Sequence, residues 1–397
     1  MEFKKTIQII FLLAILVGLS NCKKSNGDRF YDRKYVKEIK EARKEIFFYM
    51  SRNFVPGGSF AIAKDGKLVY SEGLGLASND LEVPVNRKTK FRIGPVTEIF
   101  TSLAYQRMVE QGILQPDSSV QHYLPDFPEK PIKITLDNLV NHTSGIREPR
   151  EDEKEWRGLN VPISKGIEQF QNDDLLFPPG MYSSITMFNY NLLGAVMEKA
   201  TGEKFSALLK EWVTDTLQLE NTIIDSPFTT VKGRTNFFDH NVIAQVINAT
   251  FIDVRYRAPS GGLLSNAEDL VKFGNALLYS DIVTDSIKNK LFTPVELGIQ
   301  LPSNFSNGWF ISQDLAGRTY YGRVGGITGG GAALLIYPEE KLVIAGTVNL
   351  TSGTEDLPVF QMAKPFLPET KTEDKAGENN GIKEETPTGA TDSVPNR

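Results

Sequence analysis

The sequence predicts a mixed α/β fold of the α+β kind, in which an antiparallel sheet built from both chain ends is flanked by helices. Two observations lead to this fold class. Strand-like runs joined by hairpin turns occur at residues 59–70 and again at 334–348. Between them lies a mainly helical middle region, where apolar residues recur at the spacing of amphipathic helices. Strands from the two ends can then pair in one sheet, with the helices packed on its faces.

The N-terminal part of this domain is predicted to be a helix followed by a hairpin. Apolar residues recur at roughly helical spacing over residues 35–50, and Pro56-Gly57-Gly58 ends that helix. Two strands follow, at 59–63 and 68–70. They are joined at Lys64-Asp65-Gly66-Lys67, where Asp-Gly favours a tight hairpin because it tolerates positive φ.

The rest of the domain is predicted to contain three helices and a second hairpin. The helices begin near Gly94-Pro95, after Phe188 and after Ser265-Asn266. The first of them runs to about Gln111, where Gly112 provides a C-terminal stop. The apolar runs at 334–337 and 342–348 are strands, and the polar residues 338–341 form the turn between them.

The composition argues against several classes of function and of site. The formal net charge is −5, which argues against a nucleic-acid partner. The chain has one cysteine, Cys22, so it cannot form an intramolecular disulfide. Its three histidines are scattered along the sequence and do not form a zinc-binding pattern. We therefore expect neither a metal site nor a cofactor.

The N-terminus is predicted to be an export signal. Lys4 and Lys5 precede an apolar stretch at 7–19, which is shorter than the roughly 20 residues that a membrane-spanning helix needs. Cys22 lies where a bacterial lipoprotein signal places its acylated residue, and residues 1–22 resemble such a signal. Asn21 departs from the small residue usual before that cysteine, so an ordinary signal peptide remains the alternative. Acyl chains on Cys22 would anchor the protein to a membrane, in the periplasm or at the cell surface.

Two polar segments border the predicted domain, which spans residues 35–367. Residues 23–34 are expected to be a polar tether. Residues 368–397 contain no aromatic residue and only four aliphatic ones. They cannot bury enough apolar surface to offset the entropy of ordering, so we predict a disordered charged tail.

The sequence at 91–101, FRIGPVTEIFT, resembles the FRIGSVTKxFT segment of the serine β-lactamase and penicillin-binding-protein-like family. This family includes class C β-lactamases, DD-peptidases and esterases. Further segments resemble the family in the same order along the chain, over about residues 55–350, among them Asn141–Ile146, Asn189–Gly194, Gly261–Leu270 and Tyr321–Gly326. The resemblance implies a β-lactamase/transpeptidase-like fold.

The same resemblance locates the positions of the family's nucleophile and its lysine, and neither residue is present. The Ser-x-x-Lys motif corresponds to Pro95 and Glu98. Proline has no side-chain nucleophile, and it also lacks the backbone N–H that serves the family as one of two oxyanion donors. Both replacements suit the start of a helix, since proline is favoured in the first turn and a carboxylate complements the helix dipole.

The other two family motifs are also changed. The Tyr-x-Asn positions correspond to Ile185 and Met187, neither of which can accept a proton. The Lys/His-Thr-Gly motif corresponds to Arg323-Val324-Gly325, where Arg323 keeps a positive charge but is a poor proton shuttle because a guanidinium group holds its proton near neutral pH. The resemblance implies that Gly325 and Gly326 line the substrate strand, with Gly326 as the second oxyanion donor. Glycines at these positions are equally compatible with a role in the fold alone.

Two functional hypotheses follow. The first is an inactive pseudoenzyme with a binding or structural role, whose former cleft takes a peptidoglycan-derived or other small ligand. The second is an active hydrolase, a β-lactamase, D-amino-acid peptidase or esterase, that uses an unrecognised nucleophile. Because Glu98 and Arg323 occupy family positions that converge on one site, we also predict an ion pair between them.

Overall fold

The computed structural model describes residues 28–154, 162–354 and 356–368. The predicted signal sequence, the predicted lipidation site Cys22 and residues 369–397 of the predicted tail lie outside the described residues.

The strands are built largely from apolar and β-branched runs, and most belong to one large sheet. In chain order they are β1 (Arg29–Tyr31), β2 (Gly57–Lys64), β3 (Lys67–Ser78), β4 (Val83–Pro84), β5 (Phe91–Arg92), β6 (Ile223–Ile224), β7 (Phe238–His240), β8 (Val246–Asn248), β9 (Leu263–Ser265), β10 (Phe305–Ser306), β11 (Trp309–Gln313), β12 (Thr319–Ile327), β13 (Gly330–Tyr337) and β14 (Leu342–Val348).

The α-helices lie mainly between β5 and β10, as the sequence predicts. In chain order they are α1 (Val36–Arg52), α2 (Thr97–Glu110), α3 (Val120–Tyr123), α4 (Leu136–Val140), α5 (Glu151–Lys154), α6 (Ile163–Ile167), α7 (Met187–Thr201), α8 (Phe205–Leu209), α9 (Ala258–Gly261), α10 (Ala267–Tyr279), α11 (Asp285–Phe292) and α12 (Val359–Ala363). Within the described ranges, no helix is both long and apolar enough to cross a membrane.

The large sheet joins the two ends of the chain. Its strand order is β1-β3-β2-β14-β13-β12-β11-β10, with β4 paired to β3, and every pairing is antiparallel. The contact between the N-terminal and C-terminal strands is the pairing of β14 with β2, in which Leu342 lies opposite Lys64. The predicted antiparallel sheet, with helices and strands from both ends, is therefore confirmed.

The predicted tether at 23–34 is wrong for its last residues. Arg29–Tyr31 form an edge strand on β3, in which Arg29 pairs with Glu72, and Arg33–Tyr35 form a short 3-10 turn. The aspartate before that turn, Asp32, accepts a hydrogen bond from the Lys34 N–H at 2.8 Å. Edge pairing satisfies backbone groups without requiring an apolar pattern, so polar residues can form such a strand.

The sheet has a hydrophobic core on each face. Along β13, Leu334 and Ile336 belong to the larger core, which includes α2 and α10, whereas Leu335 and Tyr337 belong to the smaller core with α1 and α12. This alternation follows from the two-residue period of a strand. Helix α2 lies in the larger core. Its first turn contains Glu98, and Pro95 lies in the short turn that precedes it.

Candidate functional site

The predicted nucleophile position is packed against strand β12. Pro95 lies in a 3-10 turn, Gly94–Val96, that leads directly into α2. A Cβ placed on Gly325 would lie 2.6 Å from the Pro95 Cγ, so the proline ring occupies the space beside that glycine. Gly94 has φ +49, and an added Cβ there would lie 3.1 Å from the Gly326 carbonyl carbon. The proline ring therefore occupies the space that a side chain at position 325 would need.

The predicted ion pair between Glu98 and Arg323 is confirmed. The Arg323 Nη2 donates to the Glu98 Oε2, and the two side chains are only 3% and 2% exposed. The Arg323 Nε also donates to the Pro95 carbonyl oxygen at 3.3 Å. The guanidinium carbon lies 5.2 Å from the Phe305 ring centroid and 5.5 Å from that of Phe310, within cation–π range. The cation is thus enclosed by aromatic rings and neutralised by one carboxylate.

A third residue, His142, completes this cluster. Its Nε2 lies 3.4 Å from the Glu98 Oε2, and the ring is fully buried. Burial lowers the pKa of His142, against the opposing effect of Glu98. The imidazole is therefore held in its neutral form, and one of its nitrogens accepts a hydrogen bond.

The hydrogen bonds around Asn189 show which nitrogen accepts. The Ile146 N–H donates to Ser144 Oγ at 3.0 Å, and Ser144 Oγ donates to the Asn189 Oδ1 at 2.6 Å. This leaves the Asn189 Nδ2 as the group that lies 2.9 Å from the His142 Nδ1. An amide nitrogen can only donate, so Nδ1 accepts and Nε2 carries the proton that faces Glu98.

Sequence reasoning treated His142 as part of a scaffold segment and missed its contact with Glu98. The two residues are 44 positions apart, and His142 adopts a left-handed conformation with φ +55 that no local pattern indicates. The contact could have been anticipated only from the chemistry of Glu98. A carboxylate expected in a closed site needs more than one polar partner, and only three histidines could supply an imidazole.

The Tyr-x-Asn positions lie beside the same histidine. The Ser184 N–H donates to the His142 carbonyl oxygen at 2.9 Å, and the Thr186 N–H lies 3.4 Å from the His142 Nδ1. Ile185 and Met187 are half-buried, and Met187 packs against the larger core. Thr186, the residue between them, caps α7 by accepting from the Phe188 N–H. The structure thus brings this segment to the cluster, but it supplies no acid or base there.

The two glycines that are predicted to bind substrate differ in their surroundings. Strand β11 pairs with β12 only over Thr319–Gly322, so among the described residues no strand covers the β11 side of β12 beyond that point. Gly325 is half-buried beneath the Pro95 ring, whereas Gly326 is exposed and lies near Thr354, whose Oγ1 would be 2.7 Å from an added Cβ. A substrate-binding role for Gly325 and Gly326 stays a prediction.

The buried hydroxyl groups near Glu98 have partners that are not bases. Ser102 Oγ lies 2.7 Å from the Tyr190 hydroxyl, which donates to the Val140 carbonyl oxygen at 2.9 Å. Burial raises the pKa of Tyr190 far above its ordinary value, so the phenol stays protonated. Thr97 Oγ1 accepts from the Leu263 N–H at 3.4 Å. None of these contacts pairs a hydroxyl with a general base, as nucleophilic catalysis requires.

A separate polar cavity of about 650 Å³ lies close to the end of β12, and none of the predicted site residues lines it. One of its walls is Arg92, whose Nε donates to Asp225 at 2.8 Å and whose Nη1 donates to the Thr328 carbonyl oxygen at 2.8 Å. Arg234 is a second cation in the lining and donates to the other Asp225 oxygen at 3.0 Å. Among the residues that the structure describes, no group of His, Cys, Asp and Glu is arranged to hold a metal ion.

Comparison with known proteins agrees with this architecture. The sequence profile of the family described as Beta-lactamase matches residues 42–359. The human protein named serine beta-lactamase-like protein LACTB, mitochondrial, is 26% identical over an alignment that covers 78% of this chain and 73% of that protein. Protein flp of Staphylococcus aureus strain MW2 is 23% identical, and the alignment covers 76% of this chain and 61% of protein flp.

Solved structures show the same fold. The octameric penicillin-binding protein homologue from Pyrococcus abyssi superposes with a TM-score of 0.71 at 23% identity, covering 82% of this chain and 76% of that one. FmtA from Staphylococcus aureus gives a TM-score of 0.71 at 20% identity, covering 87% and 93% of the two chains. The matched profile spans most of the sequence and includes every element around the cluster. The chain therefore belongs to the Beta-lactamase family.

Proposed function

We propose that this protein is a catalytically inactive member of the family, with a binding or structural role at the cell envelope. The observation that carries the proposal is the buried ion pair between Glu98 and Arg323. It occupies the two positions at which the resemblance places the lysine of Ser-x-x-Lys and the first residue of Lys/His-Thr-Gly. A buried pair of this kind is costly to break, so neither partner is free to take part in proton transfer to or from a substrate.

Acyl transfer needs an attacking nucleophile, a base that takes its proton and donors for the oxyanion. Pro95 supplies neither a hydroxyl group nor an N–H at the nucleophile position. Glu98 is bonded to Arg323 and faces the proton of His142. The guanidinium group of arginine is already fully protonated in proteins, so Arg323 cannot take up the proton that an attacking hydroxyl would lose.

The proposed location is the membrane surface, with acyl chains on Cys22 as the anchor after export. Support comes from the sequence, because Lys4 and Lys5, the apolar stretch at 7–19 and Cys22 stand in the order of a lipoprotein signal. The proposed ligand is a peptidoglycan-derived or other small molecule. The side of β12 beyond Gly322, at which Gly326 is exposed, is the part of the former cleft that could take an extended ligand.

A fluorescent penicillin and an activated ester test the loss of catalysis directly. We expect the purified full chain to show no covalent label and no turnover above a heat-treated sample, with a class C β-lactamase as the positive control. Labelling or turnover by the native chain would contradict the proposal. It would instead support an active hydrolase with an unrecognised nucleophile.

A restored variant refines this test. The triple variant Pro95→Ser/Glu98→Lys/Arg323→His replaces the ion pair with family-type residues, and it avoids placing two permanent cations side by side. We still expect no labelling, because Ile185 and Met187 lack the tyrosine and asparagine functions. Labelling by the triple variant would show that the second motif is dispensable here. The anchor is tested separately by mass spectrometry of the N-terminal peptide, with Cys22→Ala as the control.

A further inference from the structure

The exposed side of helix α1 combines aromatic and basic side chains. We call it the α1 face and define it by Val36, Lys37, Lys40, Lys44, Phe47 and Phe48. The three apolar members are strongly exposed, with 48% for Val36, 47% for Phe47 and 63% for Phe48. The opposite side of the helix is buried in the smaller core through Ile39, Ala42, Ile46 and Tyr49. The exposed aromatic rings are therefore additional to those that hold the helix on the sheet.

Helical geometry places the members of the α1 face together. At about 100° per residue, all six fall within an arc of about 120°. The acidic residues of the helix, Glu38, Glu41 and Glu45, lie to one side of that arc. The result is a surface strip of lysines and apolar side chains with the carboxylates at its margin. This is the pattern of helices that lie in a membrane interface.

The strip continues onto the edge strand β1. A groove of about 220 Å³ between the two elements is lined by Arg29, Tyr31, Val36, Ile39, Lys40 and Arg43. Tyr31 is 45% exposed there. The Arg43 guanidinium carbon lies 5.1 Å from the Phe47 ring centroid, which links the groove to the aromatic end of the α1 face.

The charge of this region is opposite to that of the whole protein. Residues 28–54 contain eight Lys and Arg against five Asp and Glu, and even after Arg43 pairs with Glu72 and Arg52 with Asp356 this region keeps a small positive charge, whereas the chain carries a formal charge of −5. A cationic region with exposed aromatic rings complements an anionic lipid surface. Lysine is depleted in protein–protein interfaces, so this composition favours lipid over a protein partner.

We propose that the α1 face lies on an anionic phospholipid bilayer, with Phe47 and Phe48 at the level of the headgroup–acyl boundary and the lysines against lipid phosphates. The position in the sequence agrees with this. Cys22 precedes Asp28 by six residues, a span of at most about 20 Å in a fully extended chain. An acyl anchor on Cys22 would keep the α1 face close to the bilayer, but the contact itself depends on the face and not on acylation.

A tryptophan probe in the full chain tests the contact. Phe48→Trp places an indole on the α1 face, and Leu315→Trp places one at an exposed site on the β11–β12 turn. The fluorescence of each introduced tryptophan is obtained by subtracting that of the native chain. With phosphatidylglycerol vesicles that carry brominated acyl chains, we expect at least about twofold quenching of this fluorescence for Phe48→Trp and none for Leu315→Trp. Vesicle binding without quenching of Phe48→Trp would overturn the proposal, as would failure to bind these vesicles.

A charge variant distinguishes vesicle binding through the α1 face from binding through the N-terminal anchor. Lys37→Gln/Lys40→Gln/Lys44→Gln should weaken partitioning onto phosphatidylglycerol vesicles at low salt on the order of 100-fold. The matched control, Lys199→Gln/Lys204→Gln/Lys210→Gln, removes the same charge from exposed sites elsewhere and should change it little. Equal effects of the two variants would overturn the proposal. So would a concentration-dependent blue shift of Phe48→Trp without lipid, since a second copy would then cover the face.

Discussion

Two buried ion pairs lie near the same end of the sheet, and their surroundings differ. Glu98 and Arg323 are enclosed by His142 and by two phenylalanine rings, and both side chains are almost inaccessible to solvent. Arg92 and Asp225 are equally buried as a pair, but Asp225 also contacts Arg234, which is 30% exposed. The two arginines of this second group line a cavity of about 650 Å³.

The difference shows that the positions corresponding to two family motifs hold an ion pair that is closed off from solvent. Removing one partner of an ion pair in a dry environment is strongly destabilising, since the charge of the other partner is left without water to solvate it. A pair beside a solvent-filled cavity can recover part of that energy from water or from a bound ion. The Glu98–Arg323 pair thus behaves as part of the core, whereas the Arg92–Asp225 pair remains next to a space that a ligand could enter.

The largest expected effect is at Glu98. Glu98→Lys places a second cation against Arg323 in the closed site, so we expect the free energy of unfolding to fall by about 3–5 kcal/mol or more. The charge-swapped variant Glu98→Lys/Arg323→Glu should recover a substantial part of the loss. Chemical denaturation of both variants measures this. A loss below about 1 kcal/mol for Glu98→Lys would mean that water reaches the pair.

Asp225→Asn should have a smaller effect. It removes the carboxylate shared by two arginines, yet Arg92 keeps its bonds to two backbone carbonyl oxygens and Arg234 can be hydrated. We expect a loss of about 2–3 kcal/mol by the same denaturation measurement. If Asp225→Asn costs as much as Glu98→Lys, the contrast between a closed and an open pair is not the deciding factor.

Gly325→Ala tests the packing of the proline ring. The new methyl group would lie 2.6 Å from the Pro95 Cγ, so the turn or the strand must shift, at a cost of about 1–3 kcal/mol. Removing the ring with Pro95→Ala should make Gly325→Ala less destabilising. A double-mutant cycle gives this coupling energy, which we expect to be about 1 kcal/mol. Additive effects would show that the ring and the glycine do not constrain each other.

The smallest effect concerns the pH dependence of stability. Burial lowers the pKa of His142, so between its ordinary value of 6.5 and its lower folded value the unfolded chain binds one more proton than the folded chain. Stability should therefore decrease as the pH falls below about 6.5, by up to about 1.4 kcal/mol per pH unit from this group. His142→Asn, which tolerates the positive φ, should lose that part of the slope. Identical slopes for the two proteins would contradict a neutral buried imidazole.

Local patterns in the sequence determined most of the fold. Asp65 and Gly66 adopt φ +52 and φ +76, so the first hairpin forms where Asp-Gly predicts it. Gly112 and Gly202 follow the ends of α2 and α7 with φ +73 and φ +77. These features depend on backbone sterics within a few residues, so they can be predicted from the local sequence.

The sequence also determined which side chains occupy the positions of the family's Ser-x-x-Lys motif, because Pro95 and Glu98 could be placed there by resemblance. Tertiary structure alone decided the rest. The edge strand β1 has no periodic pattern, and the contact of His142 with Glu98 joins residues 44 positions apart. The cavity beside Arg92 arises from segments that are distant in the chain. Such contacts are selected by packing of the whole domain, since the free energy of burying a charge depends on every group around it.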